Sequence, residues 1–104
     1  MPERRVEIAP AADQDLEELL VYSASRWGLD KALGYIGHLH QAFERLCTFP
    51  NLGASQSSVW PDARSIVVGE HVVYYRVLPD MIRITHVIHR RRDPGRFIDN
   101  SSED

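Results

Sequence analysis

The sequence predicts an α+β domain in which an N-terminal helix hairpin packs on one face of an antiparallel sheet. Three observations predict it. Two apolar segments with helical periodicity adjoin near Gly28, three strand-like segments with short turns follow them, and one short alternating segment precedes them. The predicted order is β-α-α-β-β-β, within a single domain that spans residues 1–104.

The first strand is predicted over residues 4–9, because Arg5 to Ile8 alternate in polarity and Pro10 follows. The helix after it carries acidic residues in its first turns and ends at Gly28. Its apolar stripe, at spacings of three and four, is Ala12, Leu16, Leu19, Leu20, Ser23 and Trp27.

A second helix is predicted to begin at Asp30, a suitable N-cap, and to end before Pro50. Because the link between the two helices is short, the sequence favours an antiparallel hairpin. The stripe of the second helix is Ala32, Tyr35, Ile36, Leu39, Ala42, Phe43 and Leu46.

The second half of the chain predicts a loop, rich in Ser, Gly and Asn, and then three strands. The loop covers residues 51–61, and the turns between strands fall at 69–70 and 79–80. Turns this short require antiparallel pairing. The strands are Arg64–Val68, His71–Leu78 and Met81–His89, and the tail from about residue 98 is expected to be flexible.

Charge is distributed unevenly along the chain, although the net charge is only −3. Residues 62–97 contain seven arginines against four acidic residues, whereas residues 1–61 contain five basic against eight acidic residues. This balance is too weak for a general nucleic-acid-binding domain, but it suits a local site for carboxylates or phosphates, which arginine binds as a fork.

Several other classes of site are disfavoured by the sequence. His38 and His40 lie two apart on a helix, so they point in different directions and cannot share a metal ion. Cys47 falls in an apolar helical pattern typical of a buried residue. No phosphate-binding glycine loop, zinc spacing or catalytic triad order occurs, and no apolar run is long enough to span a membrane. We therefore expect no metal, no cofactor and no membrane association.

Strand alternation predicts that Arg76, Arg83 and His89 share the helix-free face of the sheet, with Arg64 arriving from the neighbouring strand. Two interpretations stay open for this set. The arginines are either a functional site or a solvated open face. A ribonuclease would use His89 as acid with Arg64 and Arg76 on the phosphate, but no general base stands at a clear position.

Taken in order, several stretches resemble ParE-type toxins of bacterial type II toxin–antitoxin modules, within the RelE/ParE superfamily. The resemblance covers about residues 5–97 and includes the strands ARSIVVGEHVVYYRV and IRITHVIHRRRD. The matching positions in the helix hairpin are Pro10, Ala12, Asp15 with Leu16, Trp27 with Gly28, Ala32 with Tyr35, and Pro50 with Gly53.

The resemblance implies a cytoplasmic bacterial toxin that inhibits DNA gyrase by binding, and a ParD-like antitoxin that neutralises it. It implies toxin–antitoxin heterodimers that pair into heterotetramers or larger assemblies, with DNA contacted through the antitoxin. The residues expected to contact antitoxin or target are Arg64, Tyr74, Arg76, Arg83, His89, Arg90, Arg91, Arg92, Arg96 and Phe97.

Two alternatives stay open under this resemblance. RelE-like members cut messenger RNA on the ribosome, and Arg64, Arg76 and His89 fall where such catalytic residues can occur. However, Arg90 replaces a late tyrosine, and the lysine pair and the glutamate base of some members are missing from this sequence. These differences argue against an enzyme. The second alternative is a non-toxic member that acts with its antitoxin in transcriptional autoregulation.

Overall fold

The computed structural model describes residues 4–92. Along the chain the elements are β1 (Arg5–Ile8), α1 (Pro10–Trp27), α2 (Leu29–Thr48), β2 (Ala54–Ser55), β3 (Arg64–Val68), β4 (His71–Val77) and β5 (Met81–His89). The α+β class and the predicted order are confirmed. The loop before β3 contains one further short strand, β2, that the sequence did not indicate.

The helix hairpin turns at a single residue, Gly28. Its φ of 91° lies in the region that favours glycine, and its N–H bonds the carbonyl of Ala24 at 3.0 Å. Pro10 occupies the first position of α1, where the absence of an N–H costs nothing. The second helix begins one residue earlier than predicted, at Leu29, with Asp30 in its first turn.

The sheet is mixed, and this corrects the expectation of a purely antiparallel one. The strand order is β1-β5-β4-β3-β2, and β1 runs parallel to β5 with Arg5 opposite Met81. The other pairings are antiparallel. Short turns fix the direction of consecutive strands, but β1 reaches its neighbour through the whole chain, so no turn constrains its direction.

Both helices pack on the same face of the sheet and enclose the core. Strand alternation supplies one side of it and the helical stripes supply the other. Trp27, which was predicted in the stripe of α1, is instead 56% exposed at the end of the hairpin. The core residues are Ala12, Leu16, Leu39, Phe43, Leu46, Cys47, Val73, Tyr75, Ile82, Ile84 and Val87.

Candidate functional site

A β-bulge in the middle of β5 decides which side chains reach the helix-free face. Tyr74 pairs with His86, whereas Tyr75 pairs with Ile84, so the register skips Thr85. The hydroxyl of Thr85 donates a hydrogen bond to the carbonyl of Tyr74 at 3.1 Å. One extra residue reverses the alternation of every side chain beyond it.

The bulge moves His89 to the helix-covered side, so the prediction that it shares a face with Arg76 and Arg83 is wrong. His89 lies opposite His71, whose ring contacts Tyr35 of α2. Arg64 also lies on the helix-covered side, because it pairs with the core residue Tyr75. The candidate ribonuclease set is therefore split between the two faces of the sheet.

Two arginines lie side by side on the helix-free face. Arg76 is directly opposite Arg83 in the ladder between β4 and β5. Arg83 binds Glu7 of β1 with an Nε–Oε1 distance of 2.6 Å, and Arg76 lies 3.8 Å from the carboxylate of Asp62. Both guanidinium groups are partly exposed, with side chains 43% and 41% accessible for Arg76 and Arg83. The two guanidinium groups can therefore donate hydrogen bonds to carboxylates or phosphates of a partner.

Arg76 also contains a buried donor, because its Nε has no hydrogen-bond partner among the described residues. The Nε1 of Trp60 is also a buried donor with no hydrogen-bond partner among the described residues. Buried donors without acceptors are costly in a folded protein. Both residues belong to the helix-free face, Arg76 through β4 and Trp60 through its stacking on His86.

The loop before β3 places an aromatic cluster on this face. The ring of Trp60 stacks on His86, with centroids 4.4 Å apart and planes 3° apart, and meets Tyr74 edge-on at 4.9 Å. Tyr74, a predicted contact residue, is only 5% exposed as a result. Sequence reasoning missed Trp60 and His86 as members of the site; the only signal was a lone tryptophan in a polar loop.

At the other end of the sheet, a hydrogen-bond network joins α2 to the turn between β3 and β4. The hydroxyl of Tyr35 donates to the carbonyl of Val68 at 3.0 Å and accepts from the N–H of Glu70 at 3.0 Å. Its third partner is Nδ1 of His71, at 2.7 Å. Since the hydroxyl has one proton and Val68 can only accept, Nδ1 of His71 must carry a hydrogen and donate it.

A second histidine, His89, lies beside His71 at the edge of this network. The rings of His71 and His89 meet edge-on at 5.3 Å. Burial, and then the charge of His89, lower the pKa of His71 below its usual 6.5. Gly69, with φ of 57°, leaves room for the ring of Tyr35, because a Cβ there would lie 2.8 Å from it. His71 is therefore neutral and held in place at physiological pH.

Arg64 takes part in a separate network under the loop that follows α2. Its guanidinium donates to the carbonyl of Gly53. The hydroxyl of Tyr75 accepts from the N–H of Gly53 and donates to the carbonyl of Pro50, both at 2.8 Å. Arg64 thus stabilises the loop, and the Pro-x-x-Gly exit of the second helix is explained by the same contacts.

The arginines that follow β5 differ in whether they form ion pairs. Arg90 forms an ion pair with Glu70, with an Nε–Oε1 distance of 3.1 Å, and its N–H bonds the carbonyl of the same residue at 2.9 Å. Arg91 and Arg92 are exposed and form no ion pair with another residue in 4–92. Arg96 and Phe97, which were also predicted as contacts, lie outside the described residues.

The arrangement suits binding better than catalysis. Arg64 and His89 lie on the covered face while Arg76 lies on the open one, so no single phosphate can contact all three. Residues 4–92 contain no group of three or more His, Cys, Asp or Glu side chains placed to hold a metal ion. Neither helix in the described part of the chain is long and apolar enough to cross a bilayer.

Comparison with known proteins gives a consistent result. The family model of the ParE toxin of the type II toxin–antitoxin system, parDE, matches residues 6–94. The chain is 33% identical over 90 residues to Toxin ParE1 of Mycobacterium tuberculosis, covering 86% of this chain and 92% of the relative. It is 32% identical over 77 residues to Toxin ParE1 of Caulobacter vibrioides, covering 72% and 80%.

A solved structure described as the chromosomal ParDE TA system from P. aeruginosa has the same fold, with a TM-score of 0.73 at 20% identity. It covers 84% of this chain and 96% of the other. Fold and sequence together define the class of protein, the toxin component of a type II toxin–antitoxin module. Within that class, the chain belongs to the ParE toxin family.

Proposed function

We propose that this toxin arrests growth by binding DNA gyrase in the bacterial cytoplasm, with no chemistry of its own, and that a ParD-like antitoxin neutralises it. One observation supports a function without catalysis. Arg64 and His89 lie on one face of the sheet, and Arg76 lies on the other. Transition-state stabilisation requires cationic and acid–base groups around one phosphate. A binding protein needs no such convergence.

The helix-free face is the proposed docking surface for the antitoxin. Arg76 and Arg83 are adjacent there, and each already faces a carboxylate, Asp62 and Glu7 respectively. An acidic segment of the antitoxin would extend this pattern of carboxylates around the two guanidinium groups. Arginine forks bind carboxylates in two-point contacts, which adds geometric specificity.

The exposed arginines after β5 are proposed to contact the target. Arg91 and Arg92 are the residues of the arginine run that form no ion pair within 4–92, so their charges are available to a partner. The antitoxin would pair two toxins in a heterotetramer or a larger assembly and would carry the DNA contacts of the complex.

The proposal is tested by a supercoiling and cleavage assay with purified gyrase and the purified chain. We expect loss of supercoiling with trapped cleaved DNA, relieved by adding the antitoxin encoded beside the toxin. R91A/R92A should weaken inhibition without unfolding the chain, whereas R45A, an exposed arginine on α2, should leave it unchanged.

Two outcomes would overturn the proposal. If gyrase is unaffected and messenger RNA is cut on ribosomes, with H89A abolishing the cutting, the RelE-like alternative holds. If expression without the antitoxin neither slows growth nor affects gyrase, while the pair represses its own promoter, the chain is a non-toxic partner in autoregulation.

A further inference from the structure

The outer side of the helix hairpin exposes an apolar patch that the core does not use. Val21, Tyr22 and Trp27 of α1 are 66%, 55% and 56% exposed, and Leu29 and Leu33 of α2 are 57% and 49% exposed. Scattered apolar residues are normal on a surface, but here the rings of Tyr22 and Trp27 contact each other, with centroids 6.3 Å apart, and Leu29 follows directly after the turn. It is separate from the helix-free face of the sheet, where the proposed antitoxin contacts lie.

Charged residues flank this patch at regular intervals along α1. Glu18, Tyr22 and Arg26 follow one another at intervals of four residues, so they form a single ridge on the exposed side of α1. The guanidinium of Arg26 lies 5.7 Å from the ring centroids of both Tyr22 and Trp27. A shallow open groove runs beside the ridge and is lined by Glu17, Glu18, Val21, Tyr22 and Ser25.

Along α1 the ridge carries a negative, then an aromatic, then a positive side chain. An antiparallel copy of the same helix presents them in the opposite order. We propose that the patch binds a second copy of this chain, with the two α1 helices antiparallel about a two-fold axis near Tyr22. In that arrangement Glu18 of each copy faces Arg26 of the other, and the two Tyr22 rings meet at the axis. Such an isologous contact is the usual geometry of homodimers.

The chemistry of the ridge favours this occupant over an unrelated helix. In a symmetric pair of copies, each Glu18 faces an Arg26, so two opposite-charge pairs form. A purely acidic partner would instead repel Glu18. The apolar side chains of the patch, including Leu29 and Leu33, then bury area on both sides of the axis. Because a helix of 18 residues is about 27 Å long, the interface is small and the dimer is weak, with a dissociation constant on the order of 10 μM.

The dimer does not depend on the identity of the cellular target. The helix-free face of each copy stays open in the pair, so antitoxin binding and self-association are compatible. Two toxins joined through α1 would present two docking surfaces, which would raise the avidity of a dimeric antitoxin.

The test is sedimentation equilibrium of the purified full chain over a range of concentrations. We expect a monomer–dimer equilibrium that weakens as salt concentration rises, because exposed charge pairs are screened. The reversals E18R and R26E should each weaken dimerisation by about tenfold or more, because each places like charges together. The double swap E18R/R26E should return the dissociation constant to within about threefold of the original, since the pair is restored in opposite order.

E44R is the matched control, because it makes the same charge change as E18R at an exposed position of α2 outside the patch. Its dimerisation should equal that of the unmodified chain. Circular dichroism of every variant checks that the hairpin remains folded. The proposal fails if the chain stays monomeric at about 100 μM, well above the expected dissociation constant. It also fails if the double swap dimerises no more tightly than the single reversals. A patch that is shielded from solvent only when the antitoxin is present would likewise overturn it.

Discussion

The carboxylate of Asp15 accepts a hydrogen bond from the backbone N–H of Val87, 2.9 Å away, and so fastens α1 to the second half of β5. β1 ends at Ile8, opposite Ile84, and therefore leaves the next part of this edge of β5 uncovered. Asp15 supplies the acceptor that a longer first strand would have provided. This contact explains the Asp-Leu pair of the family pattern, because Leu16 beside it lies in the core.

The first prediction concerns the charge of Asp15. Burial, opposed by the hydrogen bond from Val87 and helped by Glu18, raises the pKa of Asp15 from 3.8 to about 6. A carboxyl with a raised pKa binds its proton more tightly in the folded state, so stability falls as pH rises from about 4 to about 6. Because the side chain of Asp15 is only partly buried, solvent screening limits this loss to roughly 1 kcal/mol.

We expect D15N to keep a neutral acceptor for Val87, to remove this pH dependence and to be about 1 kcal/mol more stable than the native chain at pH 7.5. D15A should instead be less stable by about 1–3 kcal/mol, since the N–H loses its partner. Urea denaturation at pH 5 and pH 7.5 measures both. Equal destabilisation of the two variants at pH 7.5 would contradict the argument.

The second prediction concerns Tyr75 and Gly53. Y75F removes the acceptor of the Gly53 N–H and the donor to Pro50, and should lower the free energy of unfolding by about 1–3 kcal/mol. G53A should cost more, because its Cβ would lie 2.5 Å from the carbonyl oxygen of Ser65 and 2.7 Å from the hydroxyl of Tyr75. Thermal unfolding ranks the two variants. G34A, at a position where a Cβ meets nothing within 4 Å, serves as the control and should not destabilise.

The third prediction concerns His71. A histidine with a lowered pKa contributes stability above its unfolded value, near 6.5, and that stability is lost as pH falls through the lower folded value. We expect H71Q to show less loss of stability between pH 7 and pH 5 than the native chain. An NMR titration should place the pKa of His71 below 6.5. A value at or above 6.5 would contradict the burial argument.

The fourth prediction concerns the arginine pair on the helix-free face. R76A and R83A should each weaken binding of the antitoxin by about 2–5 kcal/mol where the partner carboxylate is buried in the complex. R45A should have no such effect, because Arg45 is an exposed arginine of α2 and lies outside the helix-free face of the sheet. Calorimetry at low and high salt distinguishes an ion pair that is buried in the complex from one that stays exposed, because salt screens the exposed pair more strongly. Unchanged affinity in R76A/R83A would move the antitoxin interface away from this face.

The sequence predicted the helices and the long strands to within about one or two residues, because periodicity and the signals at Gly28 and Pro50 are local. It could not predict the direction of β1, which depends on how the chain returns to the sheet. It also missed the bulge at Thr85, since Met81 to His89 alternate well enough to be taken as one regular strand.

The missed bulge accounts for most of the error at the site. One unrecognised extra residue exchanged the faces of His86 and His89. His86 thereby came to stack on Trp60, a contact between a strand and a loop that no local pattern encodes. The partners of Tyr35 were missed for the same reason, because they join residues more than thirty positions apart.

The parallel pairing of β1 with β5 has a consequence for the order of events on the ribosome. β1 emerges first, but β5, which separates it from β4, is the last described strand to be made. At roughly 5–20 residues per second, several seconds pass between the synthesis of α2 and the completion of β5. If the antitoxin docks on the helix-free face as proposed, its binding site is complete only after β5 has been made, so binding would follow the synthesis of the last described strand.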